Sequence, residues 1–573
     1  GPRRPAARAA PGGRCTMTFS NDAIRKPTRR TVVLGTAGLV AAGFGLGAIG
    51  PAEQARAAGG ELIMGGDLGM LAEVEERGGV FSDGGIVTDP VALMAASGMN
   101  LARLRLWVDP YTAAGEPYGG GTNDLFATIA MARRAKAHGM RILLDIHLSD
   151  WWADPGTQTK PKAWRSLSYT DLVDTVHDYT EDVIGQMRSA GVLPDMVQMG
   201  NETTAGILWD DGKVGAGNPD FSQLAELLRS GIDGVRGALG PGESVEIILH
   251  LDHGGDNALY RWWFDGIVAE NVDFDVIGLS YYPFWHGTMG ELADNLNDIS
   301  ERYDKDVLVV ETAYAWTLED GDGLGNSFYT AEEEDGGYPA TVAGQTAFLR
   351  DLRDIVLAVP DGRGRGLVWW EPTWLPVDGA HWGSEAGKAD NDDPGTLSNP
   401  WDNQTLFDWD GEALSTLSVF GELPRENHVV NGGFEADGYT NSPSGWGVWA
   451  EDPNDLDAIF TQDPAVVGSY KLTHWKATAH TVSTFQIVEG LSHGTHQVSA
   501  WVLNSGGQEA AYMYVKGHGA PEARADLPVS SSSWIRVALE VSVTTGQLEL
   551  GFYSEAAADQ WINVDDVRVV ETY

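Results

Sequence analysis

Along residues 60–425, short apolar and β-branched runs alternate with stretches whose apolar positions return every three or four residues. The runs occupy 62–66, 101–107, 141–147, 196–200, 245–251, 274–280, 307–311 and 366–370. Runs this short and this continuous suit strands buried on both faces. The intervening helical stretches carry stop signals: 124–138 ends at Gly139, and 170–189 at Gly191. Strand–helix alternation predicts a parallel sheet, and eight such units predict an α/β fold of the (β/α)8 (TIM) barrel type. The span exceeds the ~250 residues usual for that fold. The excess must lie in loops, chiefly 150–168, 317–338 and 372–410, and long loops at strand C-termini build clefts.

From 426 to 573 the pattern changes to period-two alternation, as in 496–503, 511–516, 535–543, 547–553 and 562–570, with Gly, Ser and Asn at the turns and no helical period. This predicts a β-sandwich of the jelly-roll kind. The junction at 421–433 holds Pro424 and polar residues but no long Ser/Pro linker, so the two domains are expected to be closely coupled.

Residues 1–59 belong to neither pattern. They hold nine basic residues but only Asp22 and Glu53 on the acidic side. Arg29 and Arg30 precede an Ala/Gly/Val/Leu stretch to Gly50 and then Ala55-Arg56-Ala57, the succession of an export signal. Adjacent arginines point to the twin-arginine route and so to a secreted, extracellular protein. A membrane anchor over 31–50 is the competing reading, weakened by the low hydrophobicity of Gly and Ala. Residues 1–16, ahead of Met17, read as upstream sequence.

The whole chain of 573 residues carries 38 Lys and Arg against 82 Asp and Glu, a net charge of −44, and without the leader it falls to −51. So negative a surface argues against nucleic acid or an anionic membrane as partner. Cys15 is the single cysteine, which excludes an intramolecular disulfide or a thiolate metal cluster. The 21 Trp and 72 Gly are what a sugar-binding cleft needs, and a monomer acting on a polysaccharide is expected.

In a (β/α)8 enzyme, residues at the C-terminal ends of strands converge on one mouth. Glu202 ends the fourth run and Glu311 the seventh. A carboxyl held protonated can donate to a glycosidic oxygen while an ionised one opposite attacks the anomeric carbon, and a separation of about 5–5.5 Å gives retention. A structural ion pair is the alternative for either residue alone. Two of them on opposed strands favour catalysis.

The stretches GGDLGMLAEVEERGGVF (65–81), ARLRLWVDP (102–110), LLDIHLSDWWADPGTQTKPKAW (143–164), VQMGNE (197–202), DVIGLSYYPFWHGT (275–288), VVETAY (309–314) and DNQTLFD (402–408) together strongly resemble glycoside hydrolase family 53, the endo-β-1,4-galactanases. The resemblance covers nearly the whole barrel stretch. It implies a retaining hydrolase with Glu202 as acid/base and Glu311 as nucleophile, acting on pectic β-1,4-galactan or type I arabinogalactan.

Position and chemistry suggest the supporting residues. Arg105 is placed to reach the nucleophile and keep it ionised, and Asn201 to hydrogen-bond the sugar 2-hydroxyl. His147, Asp150 and Trp151 leave the third strand with Trp152, His250 ends the fifth, Tyr282 and Trp285 leave the sixth, and Trp370 ends the eighth beneath the expected sugar. Core packing competes with substrate contact for each aromatic. Glu371 reads as a structural carboxylate.

Asp320, Asp322, Leu324 and Asn326 put oxygen donors at every second position with Gly between, the pattern of a loop around a hard cation, although a solvated acidic turn fits the sequence as well. The resemblance implies calcium here, with Asn399 and Asp402 on the far side and Leu324 offering only its carbonyl. In the sandwich, Asn431–Glu435 and Asn563–Val567 resemble the terminal strands of carbohydrate-binding jelly-rolls, which implies a second calcium near Glu435 and Asp566. Trp446, Trp449, Trp475 and Tyr512 are candidates for a sugar platform, and deleting 430–573 is expected to spare soluble substrates. Two rival readings stand: a retaining endoglycanase on mannan or xylan, and a galactan-binding protein without activity.

Overall fold

The computed structural model describes residues 62–393, 397–422, 426–466 and 468–572. The export segment lies outside the described residues, as do Pro424 and Cys15.

Strands β1 (Ile63–Asp67), β2 (Leu101–Leu106), β3 (Arg141–Ile146), β4 (Met196–Met199), β5 (Glu246–Leu251), β6 (Val276–Ser280), β7 (Asp306–Thr312) and β8 (Gly364–Trp369) close into a parallel barrel in which β8 pairs with β1. Helices α1 (Pro90–Ala96), α2 (Leu125–Ala137), α3 (Tyr169–Ser189), α4 (Ser222–Gly237), α5 (Asn257–Ala269), α6 (Met289–Tyr303) and α7 (Val342–Leu357) lie between the strands in the chain. Side-chain oxygens of Asp89, Asp124, Ser168, Asp256, Thr288 and Thr341 cap free amides at the starts of α1, α2, α3, α5, α6 and α7.

Alternation along the strands builds two apolar layers. Ile63, Leu101, Leu143, Met196, Ile248, Val276, Leu308 and Val368, one from each strand, fill the barrel floor, while neighbours such as Leu104, Leu144, Ile247 and Val309 belong to a separate cluster under the helices. Above the floor the inward positions turn polar, with Asp67, Arg103, Arg105, Asp145, Gln198, His250 and Ser280 all buried. Strand β7 breaks the rule. Leu308 and Val310 both join the floor, so strict alternation would turn Glu311 toward the helices. A register shift opposite β6, where Leu279 pairs with Val309 but Ser280 with Glu311, inserts one residue and turns Glu311 back into the mouth.

The C-terminal region forms two antiparallel sheets from β9 (Gly447–Ala450), β10 (Ile459–Gln462), β11 (Lys471–Trp475), β12 (His480–Glu489), β13 (Gly494–Asn504), β14 (Ala510–Lys516), β15 (Ala523–Asp526), β16 (Ser530–Val543), β17 (Gln547–Ala556) and β18 (Trp561–Glu571). One runs β9-β12-β17-β14-β15 and the other β10-β11-β18-β13-β16. Phe434, Met513, Phe552 and Val564 lie in the core they enclose.

The second sheet is seated on the barrel. Trp501 of β13 is buried within the barrel's own apolar cluster and meets Tyr338 edge-on, with ring centroids 5.0 Å apart. Gly337 makes that approach possible, because a Cβ there would lie 2.7 Å from the Trp501 ring. Arg536 pairs with Asp351 at 2.7 Å, both side chains almost fully buried, and Arg568 reaches Asp354 at 3.2 Å. The close coupling therefore goes further than a short linker requires, and deletion of 430–573 would expose part of the barrel core. Arg536→Met, which leaves Asp351 buried without its cation, is expected to cost about 3–5 kcal/mol. Thermal unfolding checks this, and a truncated barrel should melt lower still.

Candidate active site

Strand β4 ends in a tight reversal that leaves Glu202 at φ 46° and ψ 57°, left-handed backbone that a side-chain-bearing residue seldom adopts. Its neighbours hold it there. The Glu202 amide donates to His250 Nδ1 (3.2 Å), so the His250 proton sits on Nε2, which donates to Ser280 Oγ (2.8 Å). Ser280 in turn donates to Glu202 Oε1 (2.7 Å). Burial, then the charge of Arg103, pushes the His250 pKa well down, which keeps the ring neutral and the relay in one direction.

Glu311 enters from β7. Arg103 Nη2 lies 2.7 Å from its Oε1, and the Tyr282 hydroxyl donates to Oε2 at 3.3 Å. Arg103 also binds Asp67 (2.7 Å), Asp145 (2.7 Å) and the Asn201 side-chain oxygen (2.9 Å). One guanidinium thus fixes the nucleophile candidate relative to three other strand ends.

The two carboxyl groups titrate differently. Burial, then the charges of Glu311 and Asp252, raises Glu202 well above the ordinary range. Burial also pushes Glu311 up, to about 7, but the Arg103 guanidinium beside it pulls the other way. Glu311 is therefore the first of the pair to ionise, and Glu202 keeps its proton.

Both acids line a cavity of about 390 Å³. One wall is aromatic: Trp152 stacks on Trp382 with centroids 4.1 Å apart, and Trp370 meets Trp401 edge-on at 4.7 Å. Tyr282 and the half-exposed Trp285 continue it, while Asp252, His253 and His286 line the cavity as well. His147 and Asn201 also lie in the cavity wall, the latter donating to the Ala153 carbonyl at 2.8 Å.

Four expected contacts fall elsewhere. Arg105 lines the cavity but pairs with the buried Glu371 at 3.0 Å; Arg103 is the residue that reaches Glu311. Asp150 is buried as a loop anchor, accepting from the amides of Asp109 (3.0 Å) and Lys162 (2.7 Å). Trp151 packs against Trp107 and Tyr118, leaving the cavity to Trp152. His250 is fully buried and acts on the site only through Glu202 and Ser280. The residues missed, Arg103, Asp252, Ser280, Trp382 and Trp401, share one signal: each follows a strand's inward register or sits in a long loop over the mouth.

The model of glycosyl hydrolase family 53 matches residues 63–420, which takes in the barrel and both acids. The chain belongs to glycoside hydrolase family 53. It is 35% identical over 390 residues to the endo-β-1,4-galactanase of Bacillus subtilis, covering 64% of this chain and 88% of that protein. Against the arabinogalactan endo-β-1,4-galactanase of Cellvibrio japonicus it is 36% identical, over 56% of this chain and 85% of that one. Among solved structures, the family 53 catalytic domain of Ignisphaera aggregans shares 40% identity at a TM-score of 0.58, covering 63% of this chain and 95% of that domain. The family 53 match stops at residue 420, before the sandwich.

The residues singled out for calcium are partly assembled. Carboxylate oxygens of Asp320, Asp322 and Asp402 lie within 4.8 Å of one another. Asn326 donates to Asp402 (3.0 Å), and its own side-chain oxygen is buried without a partner. Burial, opposed by hydrogen bonds from Asn326 and two backbone amides, leaves Asp402 pushed up to about 6. Three converging acids and an orphaned oxygen fit a hard cation. Asn399 contributes differently from expectation: its side chain bridges Trp374 and Trp401, and its backbone amide donates to Asp322 (2.8 Å). Leu324 is exposed, and its amide donates to Asp322 (2.7 Å).

The sandwich pair departs from expectation. Asp566 is taken up by Arg568 at 3.0 Å, and Glu435 accepts from the amides of Ser469 (2.8 Å) and Tyr470 (2.7 Å). Among the described residues, neither belongs to a cluster of three or more potential metal ligands.

Proposed function

We propose that this glycoside hydrolase is a secreted endo-β-1,4-galactanase that cleaves pectic galactan and type I arabinogalactan with retention of configuration. The observation that carries the reading is the unequal pair of acids in one aromatic-walled cavity, together with the galactanase relatives. Glu202 donates its proton to the glycosidic oxygen as Glu311 attacks the anomeric carbon, so that the leaving sugar departs neutral. Ionised Glu202 then takes a proton from water, which displaces Glu311 and restores both groups. Arg103 and Tyr282 hold the attacking carboxylate still, and the relay from His250 through Ser280 aims the acid. Asn201 serves the 2-hydroxyl, and Trp370 with Trp152 supplies apolar faces for the C–H side of galactose.

The test is sugar release from a panel of purified galactan, arabinogalactan, mannan and xylan, with the first product anomer read by NMR. The reading expects release from the two galactans and a β product. Release from mannan or xylan alone, or an α product, would overturn it.

Calcium at Asp320, Asp322, Asn326 and Asp402 belongs to the same proposal. When bound it neutralises the converging acids and ties the loop after β7 to the 399–402 segment. Calcium at about 100 times its Kd is expected to stabilise the whole chain by about 2.7 kcal/mol. EDTA should lower the melting temperature, and Asp322→Ala should remove most of the calcium-dependent part; a melt indifferent to both sinks the site. Export by the twin-arginine route completes the proposal, and secretion of a reporter fused behind residues 1–59 tests it. Among the described residues no helix is long and apolar enough to cross a membrane.

A further inference from the structure

Tyr314 follows Glu311 by three residues, and the way it is held gives the sandwich a part in the chemistry of the barrel. Its side chain is fully buried, and its hydroxyl grips the backbone of Tyr338 twice, donating to the carbonyl (2.6 Å) and accepting from the amide (3.1 Å). Tyr338 in turn leans on the other domain. Its hydroxyl donates to Asp351 (2.9 Å), which Arg536 of β16 pairs, and Arg536 Nη2 donates to Gln497 (3.0 Å) and Ser499 (3.1 Å) of β13. The Trp501 ring stands at 90° to the Tyr338 ring.

The backbone between the two domains is gripped at a pair of glycines. A Cβ on Gly336 would lie 2.7 Å from the Tyr314 ring, and one on Gly337 2.7 Å from the Trp501 ring. Glycines give the chain little stiffness of its own, so the rings on either side supply it. From Tyr314 two arms reach Glu311. One is the end of β7 itself, which carries both residues. The other crosses from Tyr314 to Phe284, with centroids 6.1 Å apart, and on to Tyr282 at 5.9 Å, whose hydroxyl donates to Glu311.

We propose that Trp501, a residue of the sandwich, is a positioning residue for the catalytic nucleophile: by bracing Tyr338 it holds Tyr314, and through both arms it keeps Glu311 against Arg103 and Tyr282. The proposal rests on the reading of Glu311 as nucleophile. Loosening has one electrostatic sign, because the ion pair and the hydrogen bond both favour the ionised carboxylate, and weakening either lowers the ionised fraction at a given pH. Asp67, Asp145 and Glu202 also place charge near Glu311, from the ends of other strands, and the path from Trp501 passes through none of them. A soluble substrate therefore feels the loss of Trp501 as much as an insoluble one.

Steady-state kinetics of the full chain on soluble galactan, well below the melting temperature of each variant, test this. Trp501→Ala is expected to lower kcat by about 2–30-fold, with less change in KM, and to move the acid limb of kcat/KM upward. In a Tyr314→Phe background, where the grip on Tyr338 is already lost, the same change should add little. Arg568→Met, which breaks the contact with Asp354 but leaves Tyr338 its partners, should lower the melting temperature and leave the acid limb in place. Wild-type kcat and acid limb in folded Trp501→Ala, effects that add in full to those of Tyr314→Phe, or the same limb shift from Arg568→Met would each overturn the proposal. Should Trp501→Ala not fold, Trp501→Leu is held to the same outcomes. The nucleophile reading fails separately, if Glu311→Gln keeps near-normal activity.

Discussion

Glu202→Gln is expected to lower turnover on β-1,4-galactan by about 10²–10⁴-fold, the usual contribution of a positioned general acid. Glu311→Gln should cost at least as much, since it removes the attacking carboxylate that Arg103 holds at 2.7 Å. Neither change removes volume. Burial keeps Glu202 protonated, so Glu202→Gln replaces one neutral group by another and the melting temperature should change little. A second measurement separates the roles: azide should revive Glu311→Ala and yield an α-galactosyl azide, because the small anion attacks from the face the carboxylate vacated. Near-normal activity in either Gln variant would refute the assignment.

Arg103→Gln should be the most damaging change that leaves both acids in place. It strips the cation from Asp67, Asp145 and Glu311, all buried, and is expected to cost about 3–5 kcal/mol of stability. The sign of the pH effect follows from the ion pair. Arg103 lowers the Glu311 pKa, so its loss raises that pKa and reduces the ionised fraction at any given pH. The acid limb of kcat/KM, already displaced upward from the ordinary carboxylate range, should move higher by on the order of one pH unit or more. The alkaline limb, set by Glu202, should stay nearly in place. Arg105→Gln, which strands Glu371 instead, should destabilise the fold with a smaller shift of that limb.

Much of this was legible because the barrel repeats a simple rule. Each of the eight strands lies within two residues of its apolar run, and 124–138 and 170–189 fold as α2 and α3. The same rule explains where legibility ends. Arg103 and Arg105 share one inward register, and only the height of each above the Leu101 floor decides which meets Glu311; height depends on barrel stagger, which a linear pattern does not carry. The extra residue in β7 leaves no mark in the sequence, and without it Glu311 would face the helices. Trp151 and Trp152 are adjacent in a loop of no fixed period, so their division between core and cavity is set by tertiary contacts with Tyr118 and Trp382. Resemblance alone implies calcium roles for Asp566 and Asn399, and the fold gives both side chains to nearby partners, which a motif does not carry.

Trp501, seated in the barrel's apolar cluster, makes the sandwich part of the barrel's own core. Domains that share buried contacts of this kind open together and not one after the other. Denaturant should therefore give a single cooperative transition for the whole chain, and amide protection around Tyr338 and Trp501 should be lost in step with that of the barrel strands.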